Sequence, residues 1–259
     1  MPFFFITFGL AWGILALYMF FNETMSGLFG VLSGNHPLFF LAVYAPAIAA
    51  AAVISRNAGI RSLGRYGARL LYWRCTPYWW MFLVFGIPAV FFAAAGLQGE
   101  LSGYSVPFDS PGAFLATAFL MLVKGPVEEL GWRGLALPLL QRRFAPFWAG
   151  LALGIIWAVW HLPAFLLGGT PQSSWAFAPF FIGSVAVSVI MTSLFNASRG
   201  SILLPALFHF QLINPLWPDA QPSDMFLFTA IAVIVTWVDR KSMFSIKGAA
   251  KNVIPAESG

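Results

Sequence analysis

The sequence predicts an all-α, polytopic bundle of about eight transmembrane helices, with both termini in the cytoplasm. Hydrophobic residues make up 59% of the 259 residues and charged residues only 9%, whereas soluble domains carry about 25% charged residues. The mean hydropathy is +0.80. Apolar stretches long enough to cross a bilayer recur along the whole chain. The sequence therefore favours an integral membrane protein without a separate soluble domain.

These apolar stretches are the predicted membrane spans: residues 3–21, 37–55, 78–97, 112–127, 146–168, 175–196, 201–217 and 224–238. The first is long for a signal-peptide core and lacks a small-residue cleavage site, so we interpret it as a retained helix. Residues 1–246 are predicted to form one domain. Residues 247–259 are predicted to be a disordered cytoplasmic tail, because they contain few core-forming side chains.

Charged residues separate onto the two sides of this predicted topology. The loops after the second, fourth and sixth spans and the segment after the eighth contain Arg56, Arg61, Arg65, Arg69, Arg74, Arg142, Arg143, Arg199, Arg240, Lys241, Lys247 and Lys251. Lys124 and Arg133 flank the paired glutamates at 128 and 129 on the same side, and the opposite loops contain Glu23, Glu100, Asp109, Asp219 and Asp224. Because basic residues concentrate in cytoplasmic loops, we place both termini in the cytoplasm, in a multi-pass protein of the bacterial plasma membrane. Topology then explains the net charge of +5 better than nucleic-acid binding does.

The segment 61–74 is predicted to be an amphipathic helix that lies on the membrane surface. Its arginines recur at positions 61, 65 and 69, and leucine and tyrosine residues stand between them. This pattern suits a helix on an anionic leaflet.

One charged motif, Gly125-Pro126-Val127-Glu128-Glu129-Leu130-Gly131-Trp132-Arg133-Gly134, interrupts the apolar sequence. An ionisable group at membrane depth costs about 2.5–3.5 kcal/mol and so indicates function. On a helix, Glu129 and Arg133 share a face and can pair. Glu128 lies about 100° round the axis and stays free for proton transfer. A helix end at the aqueous interface would also accommodate these charges.

Two histidines and an asparagine lie in apolar runs further along the chain. Trp157 and His161 are one helical turn apart, and His209 precedes Asn214. Either histidine alone could simply bond a neighbouring helix. Together with Glu128 they form a hydrolytic set, in which glutamate and histidine deprotonate water, and histidine and asparagine donate to an oxyanion.

The same side chains could instead hold a divalent metal such as Zn²⁺, with Glu128, His161 and His209 as ligands. The helical HExxH pattern is absent from the sequence, so such a site would be assembled across several helices.

In this order the motifs resemble those of the CPBP intramembrane proteases. This is the CAAX-prenyl-endopeptidase and bacteriocin-processing family, which includes the eukaryotic Ras-converting enzyme. Residues 128–133 match its first motif, and Trp157-x-x-x-His161 matches the second with Trp in place of the commoner Phe. Residues 196–205, leading to His209, match the third. The resemblance covers about residues 61–214.

The resemblance implies an intramembrane endopeptidase with Glu128 as the water-activating base, assisted by His161. Glu129 and Arg133 would be a supporting pair, and His209 would stabilise the oxyanion. Relatives usually have Asn four residues after that histidine, whereas this chain has Ile there and Asn214 one residue later. That offset rotates the amide by about 100° unless the following proline unwinds the helix. The family is commonly called metalloproteases.

The predicted function is hydrolysis of a peptide bond in a membrane-associated peptide or protein, with membrane lipids as the other partners. The active site is expected to open toward the cytoplasmic side. A non-catalytic immunity or scaffold protein would retain the same residues structurally. A transporter or proton relay would also use buried ionisable groups, but the internal repeats typical of transporters are absent from the sequence.

Overall fold

The computed structural model describes residues 2–106 and 108–254, and every regular element in this part of the chain is helical. The α-helices are α1 Pro2–Phe20, α2 Asn22–Phe29, α3 Pro37–Val43, α4 Ala45–Ala58, α5 Ser62–Gly67, α6 Pro77–Met81, α7 Ile87–Gln98, α8 Pro111–Lys124, α9 Glu128–Gly131, α10 Leu137–Gln141, α11 Pro146–Trp160, α12 Leu162–Phe165, α13 Phe177–Ala197, α14 Leu203–Leu212, α15 Ser223–Val238 and α16 Arg240–Met243. Short 3₁₀ segments follow α5, α7, α12 and α16.

All eight predicted spans contain helix, but fewer are long enough to cross a membrane. Among the described residues, four helices are long and apolar enough: Pro2–Phe20, Pro77–Gln98, Pro146–Phe165 and Phe177–Ala197. The pair α3 and α4, bent by 52°, would add a fifth. The other predicted spans contain the shorter helices α8, α14 and α15. These helices support an integral membrane protein, while the count of eight and the side of the termini stay predictions.

Two π-helical segments stand directly before prolines. Phe82–Gly86 precedes Pro88, and Trp132–Ala136 precedes Pro138. A proline within a helix has no N–H for the preceding turn and crowds the carbonyl four residues back. A π-bulge relieves that conflict and frees carbonyl groups for other donors, a geometry frequent at functional sites.

The bundle is built on α13, which packs against α11 and α15. Glycines permit these close approaches: a Cβ at Gly154 would lie 2.8 Å from Ser188, and one at Gly183 would lie 2.2 Å from Met225. Small residues at helix interfaces are typical of membrane proteins. On the other side of the bundle α1 packs against α4, and α4 packs against α9.

Part of the segment 61–74 is buried against the bundle, whereas the sequence predicts a helix on the membrane surface. Ser62, Tyr66 and Arg69 are buried, and their spacing of four and three residues places them on one helical face. Arg69 is only 2% exposed. Its Nε donates to the Gly200 carbonyl at 2.8 Å and its Nη1 to the Gly134 carbonyl at 2.7 Å. Burial lowers the pKa of Arg69 to about 10, so it stays charged near neutral pH.

Lys124 also departs from the predicted charge pattern. Its Nζ donates to the carbonyl of Gly34 at 2.6 Å, and Gly34 lies in the loop between the first two predicted spans. Lys124 is therefore at the level of an acidic-side loop rather than with the arginines.

Part of the predicted disordered tail is packed against the bundle. The Ala250 N–H donates to Asn196 Oδ1 at 2.8 Å, and Val253 lies against Gly200. Residues 255–259, the rest of that tail, lie outside the described residues.

Candidate active site

The two adjacent glutamates of the charged motif have different surroundings. Glu129 is fully buried, and Arg133 Nη1 donates to its Oε1 at 2.9 Å and its Oε2 at 3.1 Å. The pairing predicted from their four-residue spacing is therefore confirmed. The Nδ1 of His209 lies 2.8 Å from the same Oε1, a contact that the sequence did not predict. Glu129 thus holds α14 against the motif.

Glu128 faces a cavity. Its Oε2 accepts hydrogen bonds from the indole N–H groups of Trp157 at 3.0 Å and Trp132 at 3.3 Å. No Lys, Arg or His side chain within the described ranges forms an ion pair with it. Glu129 is therefore paired with Arg133 and bonded by His209, whereas Glu128 is held by neutral indole donors on the cavity wall.

Trp157 connects most of the charged groups of the site. Its N–H bonds Glu128, its ring lies under the Arg133 guanidinium at 4.6 Å, and its ring is 5.4 Å from that of His161 and 5.6 Å from that of His209. The indole supplies a hydrogen-bond donor that a phenyl ring would lack. The sequence motif predicted this position but not the hydrogen bond.

The partners of the two histidines indicate how each ring is protonated. His161 Nδ1 lies 2.8 Å from the Trp157 carbonyl, and His209 Nδ1 lies 2.8 Å from the Glu129 carboxylate. Both partners are acceptors, so each Nδ1 carries a proton and a neutral ring has its lone pair on Nε2. The Nε2 of His209 points past Gly125, where a Cβ would come within 3.0 Å.

Asn214 reaches the cavity because α14 ends two residues before it, at Leu212. The helical irregularity expected ahead of Pro215 is thus present. Its Nδ2 donates to Gln211 Oε1 at 2.9 Å. Gln211 in turn donates to the carbonyl of Leu83 at 2.9 Å, in the π-helical segment before Pro88. A carbonyl of another helix therefore helps to orient the asparagine.

The cavity has a volume of about 430 Å³, and Glu128, His161, His209 and Asn214 all line it. The central spatial prediction, that distant segments bring these side chains to one pocket, agrees with this placement. Lys124 also lines it, and sequence reasoning had assigned that residue to topology alone.

The cavity extends toward the loops that carry acids rather than arginines. Its wall includes Gln172, Trp175, Asp219 and Gln221, from segments that follow the fifth and seventh predicted spans. In the predicted topology these loops lie opposite the basic ones, while the opening of the site toward the cytoplasm stays a prediction.

The proposed ligand set does not form a metal site in this arrangement. Across residues 2–106 and 108–254, no group of three His, Cys, Asp or Glu side chains is placed to hold a metal ion. His161 and His209 direct Nδ1 to protein acceptors, and Glu128 is held by two indoles. Because the Nδ1 contacts leave Nε2 of both histidines as the atom that could bind a metal, the metal set of Glu128, His161 and His209 stays a prediction, and the reaction proposed here assigns no step to a metal.

Residues outside the motifs hold the charged segment in place. The Tyr66 hydroxyl donates to the Leu130 carbonyl, and Arg69 donates to the Gly134 carbonyl. Pro138 removes the N–H that Gly134 would otherwise meet four residues on, so Arg69 replaces it. Pro138 could have signalled from the sequence that the Gly134 carbonyl is free. That Arg69 is the donor to this carbonyl could be found only from the fold.

Comparison with known proteins gives two findings. Residues 110–214 match the sequence model of the Rce1-like family, described as type II CAAX prenyl endopeptidase Rce1-like. Over 180 residues the chain is 29% identical to CAAX prenyl protease 2 of Methanococcus maripaludis. The aligned part covers 62% of this chain and 66% of that protein, just under two thirds of its length. The resemblance predicted from the three motifs is confirmed.

Proposed function

We propose that this chain, with its Rce1-like segment at residues 110–214, is a CAAX-type endopeptidase that hydrolyses a peptide bond within the membrane. One observation carries the proposal: Glu128, His161 and His209 line a single cavity, while the charge of Glu129 is taken up by Arg133 and His209. The similarity to a protein named CAAX prenyl protease 2 supports a peptidase.

In the proposed reaction, a water molecule lies between the Glu128 carboxylate and Nε2 of His161, and donates a hydrogen bond to each. Glu128 takes one proton as the water oxygen attacks the carbonyl carbon of the substrate. The resulting oxyanion needs a hydrogen-bond donor. His209 supplies it from Nε2 in its doubly protonated form, with Nδ1–H on Glu129.

Collapse of the tetrahedral intermediate breaks the carbon–nitrogen bond. Glu128 returns its proton to the leaving amine, so the products are one carboxylic acid, which ionises on release into water, and one amine. Trp157 and Trp132 hold the carboxylate of Glu128 through both proton transfers. Glu128 and His161 both bind the attacking water. Correct placement of that water beside the substrate carbonyl therefore supplies much of the rate acceleration.

The proposed substrate is a membrane-associated peptide or protein, because the cavity lies among apolar helices. A prenylated CAAX peptide is the first candidate to assay, since the relative from Methanococcus maripaludis is named for that activity.

The function is tested by comparing peptide termini in membranes from cells that express wild type or Glu128→Ala. Glu100→Ala is the matched control, because Glu100 is exposed and lies outside the cavity. We expect cleaved termini with wild type and Glu100→Ala and none with Glu128→Ala. Identical termini in all three samples, at equal expression, would overturn the proposal.

The same variants distinguish the other two functions. An immunity or scaffold protein would keep its biological activity in both Glu128→Ala and His161→Ala. A proton relay would show proton-coupled flux in liposomes that Glu128→Gln abolishes.

A further inference from the structure

We propose that the cavity wall formed by residues 172–175 and 217–224 binds a cationic group of the substrate, the ammonium of Lys or the guanidinium of Arg. This wall is called the acceptor wall below. The inference rests on the proposed function for its biological meaning, but it concerns side chains that take no part in the hydrolysis.

The first observation is a buried carboxylate without a counter-ion. Asp224 is 2% exposed and lines the cavity. Its Oδ1 accepts the backbone N–H of Met225 at 2.8 Å. No Lys, Arg or His of the described chain pairs with it. A buried charge is costly unless it is paired, and its place in the first turn of α15 offsets only part of that cost.

The second observation is a pair of unused acceptors in the same wall. The Oε1 atoms of Gln172 and Gln221 are buried, and neither meets a hydrogen-bond donor from the described residues. Both residues line the cavity. Buried amide oxygens nearly always have a partner in folded proteins. Together with Asp224 these two oxygens form a surface that is complementary to a positively charged hydrogen-bond donor.

The rest of the wall is suited to an organic cation. Asp219 lines it, with its Oδ2 held by the indole N–H of Trp175 at 3.2 Å. The rings of Trp175 and Trp217 border the same space, and aromatic faces attract ammonium and guanidinium groups. The Trp217 N–H is itself buried and meets no acceptor within residues 2–106 and 108–254, so it can bind a carbonyl of the peptide that carries the cation.

These features select among ligands. An anion would be repelled by Asp219 and Asp224. A divalent ion would favour a site built of oxygen atoms, whereas this wall combines oxygens with indole rings. Lysine and arginine place a charged head on an apolar stem, which matches acceptors set in a largely apolar cavity. The substrate therefore carries a basic residue at a fixed distance from the bond that Glu128 attacks.

The binding experiment uses n-hexylammonium as the probe, on the full chain carrying Glu128→Ala, by titration calorimetry in detergent. This background removes catalysis, so the result is separate from any failure of the proposed hydrolysis. We expect hexylammonium to bind and Asp224→Asn to weaken it at least about tenfold, as for loss of a charge-assisted hydrogen bond. Uncharged hexanol should lose no affinity in Asp224→Asn.

Two further variants provide a control outside the cavity and a second test of the acceptor wall. Asp239→Asn removes a carboxylate that bonds Ser193 outside the cavity, and it should leave hexylammonium binding unchanged. Gln172→Leu changes a half-buried side chain of the acceptor wall and should weaken binding even if Asp224→Asn fails to fold. Equal affinity in wild-type and altered acceptor walls would overturn the proposal. Calcium binding that depends on Asp224 and excludes hexylammonium would assign the wall to a divalent ion instead.

If the protein cleaves peptides, a second measurement follows. Changing the basic residue of a cleaved peptide to Gln should lower kcat/KM at least about tenfold in wild type, and much less in Asp224→Asn. Equal losses in the two proteins would exclude Asp224 from substrate recognition.

Discussion

Glu128 and Glu129 are neighbours in sequence, yet they face two different regions of the molecule. Glu129 lies in a closed region where Arg133 and His209 contact its carboxylate. Glu128 lies on the wall of a cavity, held by two indole N–H groups. A turn of about 100° per residue separates the two faces. The difference teaches that the position of a glutamate around the helix, rather than its residue type, decides whether it forms a structural ion pair or is available for proton transfer.

The same division extends to the ends of the bundle. On the side of the basic loops, Arg69 and Tyr66 donate to carbonyls of the motif segment. On the cavity side, the polar groups of Gln172 and Trp217 are buried without partners among the described residues. Groups that the chain itself leaves unpaired along a cavity are available to a substrate.

The largest effect on stability is expected from the closed region. Replacing Arg133 by Leu leaves the buried Glu129 carboxylate with His209 alone. Loss of one partner of a buried ion pair costs about 3–5 kcal/mol, so the thermal unfolding midpoint in detergent should fall sharply. Arg61→Leu, at an exposed arginine, is the control and should change the midpoint little. An Arg133→Leu protein as stable as the control would contradict the claim that Glu129 lies in a closed region that its ion pair stabilises.

A smaller loss is expected where Arg69 bonds the motif segment. Arg69→Met removes the donors to the Gly134 and Gly200 carbonyls. Each buried acceptor left unpaired costs about 1–3 kcal/mol. Unfolding in detergent should show a decrease for Arg69→Met and little change for Arg65→Met, an exposed neighbour. If both variants unfold alike, Arg69 does not hold the motif.

The smallest effect is expected from Trp157→Phe, which keeps an aromatic ring at this position and removes the indole N–H. The ring remains, but Glu128 loses the donor at 3.0 Å. A hydrogen bond between membrane helices contributes about 0.6 kcal/mol on average, so stability should change little, and peptide hydrolysis should fall only severalfold. A complete loss of hydrolysis at normal stability would mean that the indole N–H is essential to the reaction.

The sequence predicts the helices well because long apolar runs leave few alternatives in a membrane. It also predicts the Glu129–Arg133 pair, since both residues lie on one helix at a fixed spacing. It does not predict the Glu129–His209 contact, because those residues are 80 positions apart and only helix packing brings them together. Arg69 was misplaced because its partners, the carbonyls of Gly134 and Gly200, are 65 and 131 positions away and only helix packing brings them to it.

The Asn214 offset shows the same limit. Helical geometry alone places its side chain off the site, and the early end of α14 at Leu212 returns it to the cavity wall. Pro215 was a readable signal for that ending. Its consequence for the side chain depended on Gln211 and a carbonyl of another helix, which no local pattern contains.

The rate of peptide hydrolysis by purified Glu128→Gln tests the central claim most directly. Glutamine keeps the size of the side chain and an oxygen that can accept from Trp157, but it cannot take a proton from water. We predict a loss of at least about a hundredfold, as for removal of a general base, at an unfolding midpoint close to that of wild type. A folded Glu128→Gln protein that hydrolyses the peptide at the wild-type rate would contradict the account.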